Sequence, residues 1–299
     1  MSKGKSQKKK VDKNFWIPYA TIMPAIILIL IFKVWPIASV VLEGFHWKGE
    51  FSLKTYHIVF SDATFWKSLW VTIKMNLILT PVQIVISLGL ALAVNMKLKG
   101  VGIFRMIYYL PATISSAVAA VVWNMMLRPN NGIMNSILSF FHIASQPFFT
   151  SQSQAMLCVM AMASWLGCGY WMMFFLAGLQ DIDTEMYEAA QIDGAGWWRT
   201  TVSVTIPLLK NTMMFVVIAD TTSNLLLFAP MYLITGGGPS GSTNVLMYEI
   251  YKTMFIYSDN NKASAMMTIL MVLIAVIIAF QYIYMNWDSS EKKGRRKRK

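Results

Sequence analysis

The sequence predicts an all-α membrane protein with six transmembrane helices and a cytoplasmic helix-turn-helix loop. Three observations support this. Hydrophobic residues make up 56% of the 299 residues and charged residues only 13%, about half the charged share of a typical soluble domain. Long apolar stretches recur along the chain. One polar, charge-bearing segment at about 181–210 interrupts the apolar second half, and we call it the elbow.

Six stretches are long and apolar enough to cross a membrane as helices. Such a helix needs about 20 mostly apolar residues, and the candidates lie at about 17–42, 66–96, 104–127, 154–180, 211–234 and 263–287. The first follows a basic stretch, as in a signal peptide, but it is long and lacks a small-residue cleavage site, so we expect it to be retained. The chain then divides into a basic N-terminal tail (1–16), a six-span domain (17–287) and a basic C-terminal tail (288–299).

The distribution of basic residues predicts the orientation. The 26 lysines and arginines are concentrated in the two tails, and others lie in the connections next to the second and fourth spans: Lys97, Lys99, Arg105, Arg199 and Lys210. The positive-inside rule therefore places both termini and the elbow in the cytoplasm. The net charge of +12 is accordingly a topology signal that also favours contact with anionic lipid headgroups. We expect no nucleic-acid partner.

The sequence shows no metal-site, nucleotide-site or catalytic pattern. Cys158 and Cys168 lie about 15 Å apart along one predicted helix, which is too far for a disulfide. The histidines, His46, His57 and His142, are scattered over loops without metal-ligand spacing. We find no phosphate-binding loop. We therefore expect no catalytic residue and no bound metal or cofactor, and any ATP would be bound elsewhere.

The elbow predicts two short helices joined by a turn. Asp183 or Thr184 can cap the first helix. Gly194 breaks that helix, and a second one can begin near Trp197. Pro207 ends the second helix or kinks its junction with the fifth span. A helix-turn-helix on a membrane surface suits docking into a groove on a partner.

The residue pattern of the elbow is distinctive. Glu188-Ala189-Ala190 is followed after three residues by Gly194, and after nine more by Val204-Thr205-Ile206-Pro207. This pattern resembles the coupling loop of the membrane subunits of ATP-driven, binding-protein-dependent importers (ABC importers). Further matches spread over the chain: Phe104-Arg105 with Leu110-Pro111, Trp123, Gly132-Ile133-Met134-Asn135, Leu176-Ala177-Gly178-Leu179-Gln180, and Leu233-Ile234-Thr235 before Gly237-Gly238-Pro239. The last of these most resembles the carbohydrate-uptake branch of the maltose and multiple-sugar type.

The resemblance implies a non-enzymatic permease subunit in a bacterial or archaeal plasma membrane. It would pair with a second, similar permease chain as a heterodimer. Two ATPase subunits, which bind ATP-Mg, would dock on the elbows, and an extracytoplasmic binding protein would deliver a sugar or oligosaccharide. Two alternatives stay open: an ABC importer of another solute, such as glycerol phosphate or a polyamine, and an ion-gradient-driven carrier or channel.

The resemblance also assigns the ATPase-coupling residues, which are Glu188, Ala189, Ala190, Asp193, Gly194 and Pro207. Glu188 would meet a basic or polar groove, Ala189 would allow close approach, and Gly194 would make the turn. As alternatives, Glu188 anchors the elbow to its own chain, or the acidic cluster of the elbow is a solvated face.

A second set of residues could contact the solute inside the membrane. Asp220 lies well inside the fifth predicted span, where an ionisable group is costly and a functional candidate by default. Asn224 follows one helical turn later. Trp165, Tyr170 and Trp171 in the fourth span could stack on sugar rings. The alternatives are that Asp220 pairs with a basic residue such as Lys74, and that the aromatic residues only pack or anchor at the interface.

Overall fold

A computed structural model describes residues 17–47, 49–96 and 99–296; the predicted N-terminal tail lies outside them. The α-helices are Ile17–Ile29, Trp35–Gly44, Lys54–Ser61, Ala63–Val94, Val101–Tyr109, Ser116–Met126, Ile133–Phe140, Ala155–Gln180, Thr184–Ile192, Trp197–Thr200, Ile206–Leu208, Lys210–Leu225, Leu246–Tyr251 and Asn260–Arg296. π-Helical turns occupy Leu30–Val34, Thr201–Thr205, Met231–Thr235 and Lys252–Ile256, and 3-10 turns occupy Leu110–Thr113 and Phe148–Thr150. The strands His46–Trp47 and Glu50–Phe51 form an antiparallel hairpin.

Each of the six predicted spans has a counterpart in this structure. Four helical stretches are long and apolar enough to cross a membrane: Tyr19–Gly44, Ala63–Val94, Ala155–Gln180 and Asn260–Met285. Two bent helix pairs supply the others, Val101–Thr113 with Ser116–Met126 and Trp197–Leu208 with Lys210–Leu225. We number these the first to sixth spans in chain order. The chain is therefore an all-α, multi-pass membrane protein.

The third span differs from the single helix predicted at 104–127, because its two halves meet at 98°. The first half tightens into a 3-10 turn that contains Pro111, and Ile114 is extended. The Ser115 side chain then accepts a hydrogen bond from the backbone N–H of Ala117 and caps the second half. A proline followed by a new N-cap ends one helix and starts another.

The fifth span also differs from the prediction at 211–234. Its intramembrane helix ends at Leu225. Leu226 to Phe228 lie outside regular helix, and Pro230 precedes a separate π-helical turn. Proline has no N–H to bond the carbonyl four residues earlier, so Pro230 removes one helical hydrogen bond next to this break.

The second and fourth spans form the centre of the bundle and run in the same direction. Met75 and Val159 share one apolar cluster near the starts of the two spans. Val94 and Leu179 share another near their ends. The fifth span packs against both, and the second half of the first span packs on the sixth.

An ion pair joins the beginnings of the second and sixth spans. Lys262 Nζ lies 2.7 Å from Asp62 Oδ2, and Asp62 Oδ1 accepts a hydrogen bond of 2.7 Å from the backbone N–H of Thr64. Partial burial alone would raise the pKa of Asp62, but the bonds from Lys262 and Thr64 lower it below its usual value. The carboxylate is therefore ionised at neutral pH and caps the second span.

Gly169 lies where the fourth span closely approaches the backbone of the third span. A Cβ atom at this position would overlap the backbone oxygen of Tyr108. We predict that Gly169→Ala destabilises the protein by about 1–3 kcal/mol, because a backbone segment would have to move. The fall is measured as the thermal unfolding midpoint of the detergent-solubilised protein.

Gly89→Ala is the matched control for this prediction. Gly89 also lies inside a spanning helix, but a Cβ there meets no atom within 4 Å. Alanine is the better helix former, so this variant should unfold at the wild-type midpoint or above it. Equal midpoints for Gly169→Ala and Gly89→Ala would contradict the close approach.

Candidate functional site

A cavity of about 270 Å³ opens between the second, third, fourth and fifth spans. Four of the predicted pathway residues line it: Tyr170, Trp171, Asp220 and Asn224. The fifth, Trp165, is not among its lining residues. It packs instead on Trp123, with ring centroids 6.0 Å apart. The structure thus brings the two polar candidates and two of the three aromatic candidates to one place.

Asp220 is the ionisable carboxylate of this cavity and is only 1% exposed. Its Oδ1 atom accepts a hydrogen bond of 2.6 Å from the indole Nε1–H of Trp171. Its Oδ2 atom is buried and has no hydrogen-bond partner within the described part of the chain. An unpaired buried acceptor is costly, so this oxygen is the unsatisfied acceptor of a residue that lines the cavity.

Lys74 is not the partner of Asp220. It lines a different cavity, and the two ion pairs found among the described residues are Asp62–Lys262 and Glu249–Lys252. The expected alternative of a structural pair between Asp220 and Lys74 is therefore not what the structure contains.

Asn224 lies in a hydrogen-bond network that joins three spans. Its amide Nδ2 donates to Thr80 Oγ1 at 3.0 Å and to Gln83 Oε1 at 2.7 Å. Gln83 Nε2 in turn donates to the backbone carbonyl of Ala163 at 3.0 Å. Asn224 therefore both lines the cavity and connects the fifth span to the second.

Gln83 belongs to a row of buried polar residues that was not predicted from the sequence. We call the row the polar seam; its members on the second span are Ser68, Thr72, Asn76, Thr80, Gln83 and Ser87. They are spaced by three or four residues, so they share one helix face. That spacing within an apolar stretch was the signal that would have found them.

The lining of the cavity has little charge. No lysine, arginine or histidine lines it in the part of the chain that the structure describes, and Asp220 is its one carboxylate. The other polar groups include the amides of Gln83 and Asn224 and the hydroxyls of Ser116 and Ser223. The surroundings are thus suited to hydrogen-bonding a neutral, hydroxyl-rich molecule, and they offer no cation to an anion.

The elbow forms a second candidate site. The helix Thr184–Ile192 is followed by a turn, with Gly194 at a φ of +70°. Asp183 occupies the N-cap position of this helix, but its side chain makes no capping hydrogen bond. Pro207 lies inside the short helix Ile206–Leu208, and the 72° bend comes directly after that helix.

The coupling candidates on the elbow are mostly exposed. Glu188, Ala189, Asp193, Gly194 and Pro207 are exposed, whereas Ala190 is buried against its own chain. Neither ion pair of the described residues involves Glu188. The contacts therefore give no support to the alternative that Glu188 anchors the elbow to its own chain.

Large apolar side chains also project from the elbow, and their sequence pattern had not been assigned a role. Ile192 is 86% exposed and Trp198 is 70% exposed, and Met186 and Trp197 are exposed nearby. Exposed apolar groups gathered on a polar segment are typical of a surface that another molecule covers. Two adjacent tryptophans in a polar segment were the signal for this patch.

We predict that Asn224 and Gln83 are energetically coupled. Asn224→Ala removes the donor for Gln83 Oε1 and should cost about 1–3 kcal/mol. The double variant Asn224→Ala/Gln83→Ala should cost less than the sum of the single variants by at least about 0.5 kcal/mol, since the two residues share one bond. Thermal unfolding of the four proteins measures the cycle.

Ser223→Ala is the neighbouring control. Ser223 is exposed, and its hydroxyl bonds the Ala219 carbonyl of its own helix. The destabilisation caused by Ser223→Ala and that caused by Gln83→Ala should simply add in the double variant. If the costs of Asn224→Ala and Gln83→Ala also add, the two residues are not coupled and the network does not stabilise the site.

The chain is similar to known membrane transport proteins over nearly its whole length. The family described as binding-protein-dependent transport system inner membrane component matches residues 85–287. The permease protein UgpA of the sn-glycerol-3-phosphate transport system of Agrobacterium fabrum is 32% identical, and the alignment covers 92% of this chain and 97% of that protein. A probable ABC transporter permease protein of Pyrococcus horikoshii is 30% identical, with 92% and 98% covered.

Solved structures share the fold. A chain of a bacterial ABC transporter involved in the import of the acidic polysaccharide alginate aligns with a TM-score of 0.83 and 22% identity, covering 92% of this chain and 96% of that one. A chain of a bacterial alginate ABC transporter in complex with an alginate pentasaccharide-bound periplasmic protein aligns with a TM-score of 0.80 and 23% identity, covering 92% and 95%. At these identities the likeness describes the fold alone.

Proposed function

The chain belongs to the family of binding-protein-dependent transport system inner membrane components, and we propose that it translocates a sugar or oligosaccharide. Family membership confirms the resemblance drawn from the elbow and the distributed motifs. It also makes the chain a transport subunit, a membrane permease of an ABC importer, rather than an enzyme, and it favours ATP-driven transport over an ion-gradient carrier or channel.

The proposal of a sugar as the solute rests on the lining of the cavity that contains Asp220. A sugar presents hydroxyl donors, acceptors and an apolar ring face. The unpartnered Oδ2 of Asp220 would accept a hydroxyl, the amides of Asn224 and Gln83 would bond others, and the ring of Tyr170 would contact the sugar face. A few polar groups set in an apolar wall are the usual construction of a small-molecule site.

Glycerol phosphate is the second candidate, because the Agrobacterium fabrum relative is named for its transport and aligns over 92% of this chain. The lining of the cavity argues against it. A phosphate there would find no basic side chain from the described residues. The neutral solute is therefore the better match, since an anion is favoured by a cation that this lining does not supply.

We place ATPase docking on the elbow. The exposed carboxylate of Glu188 would meet a basic or polar groove, and the exposed Ala189 would allow close approach. Ile192 and Trp198 would be covered by the same partner. Asp193, Gly194 and Pro207 set the path of the backbone, and the buried Ala190 holds the elbow to the chain. In this arrangement the elbow and both tails are cytoplasmic.

One helix pair would link docking to transport. The elbow continues from Trp197–Leu208 into Lys210–Leu225, and the second of these helices carries Asp220 and Asn224. ATP-driven closure of two ATPase subunits, which hold ATP-Mg, would move the elbow and with it the polar wall of the cavity. The transporter would shift between outward-open and inward-open populations because the two differ in affinity for ATP. A second permease subunit, forming a heterodimer, and an extracytoplasmic binding protein complete the assembly.

We predict that Asp220→Ala and Asn224→Ala each lower uptake about tenfold or change solute preference, because each removes a hydrogen bond to the solute. The assay is ATP-dependent uptake by the reconstituted complex of radiolabelled neutral sugars and of glycerol 3-phosphate. Trp165→Phe, in the same bundle but outside the cavity lining, should keep wild-type uptake. Unchanged uptake and selectivity in both Asp220→Ala and Asn224→Ala would remove them from the site. Preferred uptake of glycerol 3-phosphate would instead establish the second candidate.

We predict that Gly194→Val separates ATP hydrolysis from uptake or detaches the ATPase. Valine at a φ of +70° is strained, so the turn between the two elbow helices would change. Co-purification of the ATPase and the ratio of ATP hydrolysed to solute imported are the two measurements.

Gly196→Val is the control for this turn. Gly196 has an ordinary φ of −68°, and a Cβ there meets no atom within 4 Å. The same side chain is thus added two residues away without backbone strain, and coupling should be kept. If both variants couple normally, the turn at Gly194 has no role in docking.

A further inference from the structure

A second cavity, of about 490 Å³, lies between the beginnings of the second and fourth spans. Trp70, Lys74 and Ile78 of the second span form one wall, and Leu157 and Met160 of the fourth span form another. It shares no lining residue with the cavity that contains Asp220.

The lining changes from polar to apolar along the bundle. Gln152 and Ser153 directly precede the fourth span and line the cavity at the end where that span begins. Because the second and fourth spans run in the same direction, Trp70 lies toward that end, whereas Ile78 and Met160 lie deeper. A polar end at the membrane surface above an apolar end matches the polarity of a lipid.

Lys74 supplies a positive charge between the two ends. It is exposed, and it belongs to neither ion pair of the described residues. A charged group at membrane depth is costly unless it finds a partner. A lysine on a helix leans toward the helix N-terminus and extends its ammonium to the interface, which here is the end with Gln152 and Ser153.

An unsatisfied hydroxyl lies in the same lining. Ser242 Oγ is buried and has no hydrogen-bond partner among the residues that the structure describes. A cation and a hydroxyl donor without an acceptor together complement an anion that carries oxygen atoms.

We propose that this cavity binds one anionic phospholipid. Its phosphate would contact Lys74 and Ser242, and an acyl chain would follow Ile78, Leu157 and Met160 toward the membrane centre. Trp70, which is 65% exposed, would lie at the headgroup level, where tryptophan is enriched. A free phosphate would satisfy the charged end and leave the apolar end empty, so the lipid is the ligand that accounts for both.

The test is lipid retention by the intact complex. The complex is solubilised, depleted of native lipid, and incubated with phosphatidylglycerol, and bound lipid is counted by native mass spectrometry. Lys74→Gln should reduce retained phosphatidylglycerol about fivefold. Lys67→Gln is the matched control, since Lys67 is an exposed lysine on the same helix, seven residues earlier, that does not line the cavity. Lys74→Arg should restore retention and shows that loss of the charge, rather than misfolding, is responsible.

Each other outcome overturns the proposal. Equal retention in the wild type and Lys74→Gln, or equal loss in Lys67→Gln, would mean that no specific site exists. Equal retention of phosphatidylcholine would remove the role of the anionic charge. Displacement of the lipid by millimolar inorganic phosphate would identify a free anion as the ligand, and cross-linking of position 70 to a polypeptide would identify a protein neighbour.

Discussion

The hydrogen bonds of the polar seam are the interaction on which the described bundle depends. In a membrane, apolar packing between helices has no solvent-driven advantage over contact with lipid tails, so buried polar groups and close packing determine which helices associate. The seam bonds the fourth span through Gln83, the fifth through Asn76 and Thr80, and the segment before the sixth span through Thr72, which accepts from the Leu246 N–H at 2.7 Å. One face of the second span thereby fixes the position of its neighbours.

The same network borders the candidate solute cavity, so the packing of the helices and the binding of a solute depend on the same residues. Asn224 and Gln83 hold helices together and also line the cavity, so a solute that bonded them would act on the packing of the bundle. Asp220 differs, because one of its oxygens accepts from Trp171 and the other is buried without a hydrogen-bond partner among the described residues. The stabilising contacts and the proposed solute contacts therefore lie side by side at one cavity.

Hydropathy predicted the spans because apolar length is a local property, and the elbow was predicted because glycine, proline and capping residues act locally. The bend in the third span was missed, since hydropathy measures length and gives no direction. The polar seam was missed because its residues are individually unremarkable and gain meaning only from their shared spacing. Four of the five pathway candidates line the cavity. Trp165 does not, because it is six residues from Trp171, about 120° around the helix, and so lies on another face.

The 72° angle after Leu208 divides the fifth span into two rigid arms that meet at a corner. Leu209, at the corner, is 1% exposed and packed in the apolar cluster of the second and fourth spans. Packing therefore holds the corner in place. A displacement of Trp197–Leu208 along its own axis would therefore move Lys210–Leu225 in a direction nearly perpendicular to its axis. Asn224 on that arm is hydrogen-bonded to Thr80 and Gln83 of the second span. Such a displacement would therefore lengthen these hydrogen bonds or move the second span with it.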